Sequence, residues 1–524
     1  MKKQASPKTP RNLDKHLFEA GQQCHKRLWL DFHQPVEDES GSSRKAMSVT
    51  GQQLLALARS VFPKGVQIEG ATTAKAAEAT AEQLAAGTPV LFGATFVAEG
   101  VETRCDILVR HKDGAIDLYE VKSGTKIKHR YVNDLAMQML TAERCGHRVR
   151  AAFLLHLNPK YAHKEGADFP PMQLLRSADV TTKVKKQIGL VTRRLAQFRQ
   201  VLDDESVLEL PMGTFCTLPF PCPHIATCRK KAPALPLFEL PELTRALELE
   251  LHKEGIEDLN GLDPERPNLT FRQRRLLACV RQGTPIVETF VRDELGQAKK
   301  PLHFLALATV TEALPRFDGQ RPWRQMPFAW AANTIHADGR LEAASFVHVD
   351  RTDPRPEFAA TLGKHLDCGG TIVCWNDEAL DELHALLEDL PTAKAAVRSI
   401  TQRQTFDMMQ LFEAGVFHPA LRNHLDLRSS VAALLEDSSG NDLAVWGEDT
   451  LRDALAKATA PRVRSTTKDK VAADVKATVQ WIADRLLQLF RKFGEGETPK
   501  AAPPAPKPSA ASKGKPRPLP KPLA

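Results

Sequence analysis

The stretch RCDILVRHKDGAIDLYEVKSG, residues 104–124, constrains the chain more than any other. Two apolar, strand-forming runs flank Asp113-Gly114. That dipeptide favours a tight hairpin turn because both residues tolerate positive φ. Folding about the turn brings Asp106 to within about one position of Glu120 on the neighbouring strand, while Glu120 and Lys122, two apart, leave the same face. Like charges opposed across a sheet are destabilising, and a divalent cation between them removes the penalty. Mg²⁺ or Mn²⁺ takes hard oxygen ligands. It can lower the pKa of a bound water and stabilise charge on a phosphate under attack. Asp106 and Glu120 are therefore candidate metal ligands, and Lys122 can orient the water or offset phosphate charge. A solvated hairpin face without chemistry is the competing account of these residues.

The following segment favours chemistry. Residues 130–145, RYVNDLAMQMLTAERC, have helical spacing, with Val132, Leu135, Ala136 and Met139 on an apolar face and Tyr131, Asp134 and Gln138 on a polar one. Lys126 and Lys128, in the intervening loop, could touch a phosphate backbone. The arrangement resembles the RecB-type nucleases of the PD-(D/E)XK superfamily, in which an Asp, a Glu-x-Lys and a Gln on the next helix form the active site. The resemblance implies that Asp106 and Glu120 hold metal, that Lys122 is catalytic, and that Gln138 supports them. The chain departs from the family at two points. Ala142 stands where a Tyr usually follows the Gln, and Gln52 or Gln53 stands where many members have a metal-binding His.

The cysteines form a second pattern. Cys216, Cys222 and Cys228 lie in FCTLPFPCPHIATC, and Cys24 sits alone near the start. Four thiolates can hold a cubane iron–sulfur cluster. Zinc prefers closer Cys pairs and is an alternative, as are unrelated buried thiols. One Cys before the hairpin region and three after it match iron–sulfur nucleases of the RecB type, including CRISPR adaptation exonucleases. That resemblance implies a 4Fe-4S cluster stapling the two ends of the nuclease domain. His224 is expected to be a solvent-facing loop residue, not a ligand. Cys105, Cys145, Cys279, Cys368 and Cys374 are expected in the core.

In the second half, LHFLALATV reads as an apolar strand, 327–336 and 341–349 as a hairpin about Asp338-Gly339, and GGTIVCWND as a further buried strand. The segments LHFLALAT, LPRFDGQRPWRQMPFAW, RTDPRPEF, GGTIVCWNDEAL and VFHPAL resemble a bacterial family that joins an iron–sulfur RecB-type nuclease to a DnaQ-like (RNase H-like) exonuclease fold. Where that family reads F-L-D-F-E-T, this chain has Ala306 and Ala308 in place of both acids. Asp377, Glu378 and Asp407 remain near positions of further acids. The resemblance implies a degenerate exonuclease that has lost its central metal ligands. Residues 470–493 place Val471, Val475, Val479, Ile482, Leu486, Leu489, Phe490 and Phe493 on one helical face, for packing onto this half or for a protein partner.

Composition adds limits. The chain has 524 residues, enough for roughly three domains. No run approaches the roughly 18 apolar residues of a membrane span, and the start lacks the apolar stretch of a secretory signal, so a cytoplasmic location without membrane contact is expected. The net charge is +8, but residues 1–11 carry +4 and residues 499–524 carry +6, leaving −2 on the body. Global charge is thus no argument for nucleic acid.

The expected fold is α/β. A PD-(D/E)XK restriction-endonuclease-like domain with the four-Cys clasp spans 12–230 and a helical connector 231–300. A DnaQ/RNase H-like mixed-sheet domain spans 301–435, a helical segment 436–494, and a disordered Pro/Lys tail 495–524. The expected function is metal-dependent cleavage of DNA, at ends or on single strands. The rival is a nucleic-acid-binding or assembly protein built on two nuclease folds without catalysis. A redox-sensing regulator is a third reading.

Overall fold

The computed structural model describes residues 11–35, 41–422 and 425–495. Apart from Glu495, the basic tail lies outside the described residues, as do residues 1–10. The chain is mixed α/β with two mixed sheets.

The first sheet has six strands in the order β1 (Val66–Gln67), β2 (Val90–Ala98), β3 (Val101–Arg110), β4 (Ile116–Lys122), β5 (Val149–Leu157) and β6 (Leu175–Asp179). Glu99 and Gly100, both at positive φ, make the tight β2–β3 turn. The expected β3–β4 hairpin forms about Asp113-Gly114, with Gly114 at φ +80°. β4 and β5 are parallel, so a crossover must join them, and helix α5 (His129–Arg144) supplies it.

Before β1 come α1 (Lys15–Gln23), α2 (His25–His33) and α3 (Gly41–Ser60), and α4 (Thr73–Ala85) lies between β1 and β2. After β5 come the short α6 (Pro171–Leu174) and the long α7 (Thr181–Leu202). α1, α2, α5 and α7 share one apolar core with the sheet, in which Leu17, Leu28, Leu108, Leu118, Leu135 and Phe198 are buried. Leu54 and Ala58 of α3 cover Ile107 and Leu155 in a separate core. Asp14 caps α1 by accepting from Leu17 N at 2.8 Å. Cys24 ends α1 and starts α2, so this thiol sits at a fixed corner between two packed helices.

α1 approaches α7 closely at Gly21, where an added Cβ would meet the Phe198 ring at 2.8 Å. Gly21→Ala is therefore expected to destabilise the chain by about 1–3 kcal/mol through overpacking, read as a lower midpoint in thermal unfolding.

The second sheet holds β8 (Leu302–Thr311), β9 (Gln325–Ile335), β10 (Leu341–Val347), β11 (Thr371–Cys374) and β12 (Thr405–Asp407) in the order β10-β9-β8-β11-β12. β8, β9 and β10 pair antiparallel, whereas β11 is parallel to β8 and to β12. The expected Asp338-Gly339 hairpin joins β9 to β10. The C-terminal helix Ser465–Phe490 buries Val471, Val475, Val479, Leu486, Leu489 and Phe490, and its apolar face packs against cores that include residues of β8 and β9. Among the described residues no helix is long and apolar enough to cross a membrane.

The stretch expected to be a plain helical connector has its own core. Leu237, Leu251, Leu259, Leu276 and Leu277 are buried together, and β7 (Ile286–Val287) pairs with β13 (Val416–Phe417). These leucines are spread over short helices and turns, so no single periodic run announces them.

Candidate functional site

β3 leaves β4 beyond the Ile107–Tyr119 pair, and the next backbone N–H of β4 that faces it, Val121 N, loses its strand partner. Asp106 Oδ2 accepts that N–H at 2.7 Å. The break in pairing thus fixes the Asp106 carboxylate beside the end of β4, where Glu120 and Lys122 project. Gln138, on α5, donates from Nε2 to Glu120 Oε2 at 2.8 Å. The structure therefore brings Asp106, Glu120, Lys122 and Gln138 into one place.

Two further residues join them. Asp134 of α5 accepts from Lys122 Nζ at 3.0 Å. Lys15, from the first turn of α1, lies 3.5 Å from Glu120 Oε1 and is paired with Asp134 Oδ2. Lys122 is also paired with Glu120. The face of α5 expected to be polar is buried along with the apolar one, from Tyr131 to Ala142, because it packs over the carboxylates rather than toward water.

The electrostatics follow from this crowding. Burial raises the Asp106 carboxyl above the ordinary range, opposed by the Val121 N–H and the Lys122 charge. Burial likewise raises Asp134, and Glu120 adds to the effect. Burial works against the Lys122 ammonium, but Glu120 and Asp134 outweigh it and hold the lysine charged far above neutral pH. Three acids and two lysines thus share one cluster that is largely buried apart from Lys15. Such a set is stable only while paired.

The donors suit a hard divalent cation, being carboxylate oxygens with an amide close by. Gln138 Oε1 is buried without a hydrogen-bond partner, which leaves an acceptor to spare beside Glu120. Among the described residues, no three His, Cys, Asp or Glu side chains are already arranged to hold a metal. In the carboxylate site, ammonium groups stand among the acids. Gln52 and Gln53 lie on α3 and are exposed, and Ala142 is buried in the α5 core. Lys126 and Lys128 are exposed in the loop before α5.

Cys24, Cys216, Cys222 and Cys228 line one small cavity although Cys24 is far from the others in sequence. Burial pushes the Cys216 thiol up to about 11, and the neighbouring Cys24, Cys222 and Cys228 add to it. Four thiolates would repel one another here, a repulsion that an iron centre offsets. Backbone N–H groups already point at sulfur, as Gly213 N does at 3.5 Å from Cys216 Sγ. The four share a cavity and their donor chemistry suits a cluster, but among the described residues no three of them are already drawn together to hold a metal.

Two expectations about this region fail. His224 is buried, not solvent-facing, because its Nε2 lies 2.7 Å from Asp31 Oδ1. Burial acts to raise Asp31, but hydrogen bonds from His16 and His224 and the Arg27 charge prevail and hold it well below the ordinary range. Cys145 and Cys368 are exposed rather than core, whereas Cys105, Cys279 and Cys374 are buried as expected. Cys145 is the C-cap of α5 and Cys368 lies in a turn before β11, so neither is held inside a packed element.

In the second half, Ala306 and Ala308 are buried on β8 beside a cavity also lined by Trp375, Glu378, Glu382 and Trp446. Asp407 caps the Met408–Gly415 helix, accepting from Gln410 N at 2.7 Å, and also accepts from Asp377 N at 3.2 Å. Glu382 was not foreseen. Burial pushes its carboxyl up to about 8, opposed by Thr309 Oγ1, which donates at 2.9 Å. The folded chain thus keeps a proton that the unfolded chain releases near the ordinary value of 4.5. Stability is therefore expected to fall as pH rises from about 4.5 through 8. Thermal melts across that window should show the slope in the wild type and lose it in Glu382→Gln.

The two halves touch close to the first site. Trp323 Nε1 donates to the carbonyl of Ser123, the residue after Lys122, and Gly319 N donates to His163 O at 2.9 Å. No curated protein matches the chain. Residues 303–425, which run from within β8 past β13, match a family described as a domain of unknown function (DUF2779).

Proposed function

We propose that the chain is a metal-dependent deoxyribonuclease whose site is Asp106, Glu120, Lys122 and Gln138, with a PD-(D/E)XK-like first half. The observation that carries this reading is the Asp106–Val121 hydrogen bond at the point where β3 and β4 part. It sets a carboxylate against Glu-x-Lys at the end of a strand, over a crossover helix that supplies the glutamine. A divalent cation bound by Asp106 and Glu120 would supply Lewis acidity toward a phosphate and a more acidic water. Lys122, held charged, offsets negative charge developing on the phosphoryl oxygens. Gln138 holds Glu120 in place through one carboxylate oxygen. Cys24, Cys216, Cys222 and Cys228 would hold a structural iron–sulfur cluster, of the 4Fe-4S type, which ties α1 and α2 to the segment after α7.

The second half is read as RNase H-like, supported by three antiparallel strands followed by two parallel ones in the order β10-β9-β8-β11-β12. With Ala306 and Ala308 on its central strand it lacks the acids of a two-metal exonuclease. Its role is to place nucleic acid near Ser123 and Lys122, through the loop that carries Trp323. The test is cleavage of single- and double-stranded DNA with Mg²⁺ or Mn²⁺. The wild type is expected to cut and Glu120→Ala to be inert. DNA binding without cleavage under any metal would favour the non-catalytic rival.

A further inference from the structure

Lys15 stands where the proposed reaction needs a cation. It enters from α1, 105 residues before Glu120, with its ammonium shared between Glu120 and Asp134. A lysine in the first turn opposes the helix dipole, so its place is explained by the acids it meets and not by the helix. Lys122 contacts the same two acids.

The two lysines are not equivalent. The Lys122 side chain is 13% exposed and lies 5.5 Å from the Tyr131 ring centroid. The Lys15 side chain is 43% exposed, so its ammonium can turn into water without a desolvation penalty. The helix itself is anchored. Asp14 caps its start, and at its end Gln23 Nε2 donates to the carbonyls of Phe215 at 2.8 Å and Phe220 at 2.7 Å, in the loop that carries the cysteines. Only the Lys15 side chain has room to leave.

We infer that Lys15 is a positioning residue that serves as the internal counter-ion of the Glu120–Asp134 pair and sets the divalent-cation concentration at which the site fills. The inference rests on the reading of this site as metal-dependent. While Lys15 is in place, its charge offsets part of the charge on Glu120 and Asp134. A dication entering beside Glu120 must displace one ammonium, and the exposed one leaves. Removing that competing charge strengthens the attraction of the remaining acids for the dication.

The test is Mn²⁺ binding by calorimetry, without nucleic acid, on the full chain. Lys15→Met is expected to lower the Mn²⁺ Kd by about 10-fold, and Lys15→Arg, which keeps the charge, to stay near the wild type. A merely structural lysine would give the opposite, weaker binding on removal. If Lys15→Met does not fold, Lys15→Gln carries the same expectation. Glu120→Gln separates the two levels of the argument. Saturable, Glu120-dependent binding that Lys15→Met leaves unchanged or weakens overturns this inference alone. Absence of Glu120-dependent binding in the wild type overturns the proposed function, and the inference with it.

Discussion

Lys122→Met is expected to lower metal-dependent DNA cleavage by roughly 10²–10³-fold, the usual effect of removing one electrostatic stabiliser of a charged transition state. The fold should survive, because Lys15 still pairs with both Glu120 and Asp134. The loss should appear in kcat more than in KM, since the ammonium meets charge that develops during attack rather than charge already present in the substrate. Single-turnover cleavage with Mn²⁺, alongside a thermal melt, separates this from unfolding. A variant that cuts at the wild-type rate would remove Lys122 from the mechanism.

Cysteine replacement carries the second large effect. Protein purified without oxygen is expected to be brown, and Cys24→Ser, Cys216→Ser, Cys222→Ser and Cys228→Ser should each bleach it. The thermal midpoint should fall by roughly 10 °C, because the binding free energy of a structural centre is folding free energy. Cys24 holds the corner between α1 and α2, and the other three lie beyond α7, so an empty clasp frees both ends of the first unit. Replacing exposed Cys145 or Cys368 serves as the control and should leave colour and midpoint unchanged. Metal analysis distinguishes iron from zinc, and zinc without iron would correct the cluster assignment.

How much of this was legible depends on how local the signal is. The Asp113-Gly114 and Asp338-Gly339 hairpins were readable because a turn is encoded in the residues that make it. Register follows from the turn, so the nearness of Asp106 and Glu120 was readable too. Helical spacing puts Asp134 on a polar face. Helical spacing tells which residues share a face and not what covers it, and here the cover is the carboxylate cluster at the end of β4. Lys15 had no local signal at all, because its partners lie 105 and 119 residues away. His224 was misplaced for the same reason, since its partner Asp31 is 193 residues away. The leucines of 231–300 form a core only once short helices and turns have folded on one another. Ala306 and Ala308 are legible on their strand, but the buried Glu382 beside them depends on the packing of the Glu378–Asp389 helix over β8 and β9.

The most direct measurement compares wild type with Glu120→Ala on single- and double-stranded DNA in Mg²⁺ and in Mn²⁺. Glu120 joins Lys15, Lys122 and Gln138 at one carboxylate, so its loss dismantles the site without touching the cysteine clasp or the second sheet. The account predicts cleavage by the wild type that stops on chelation and is absent in the variant, with the colour retained in both. Equal cleavage by the two proteins, or DNA bound but never cut by the wild type under either metal, would contradict it.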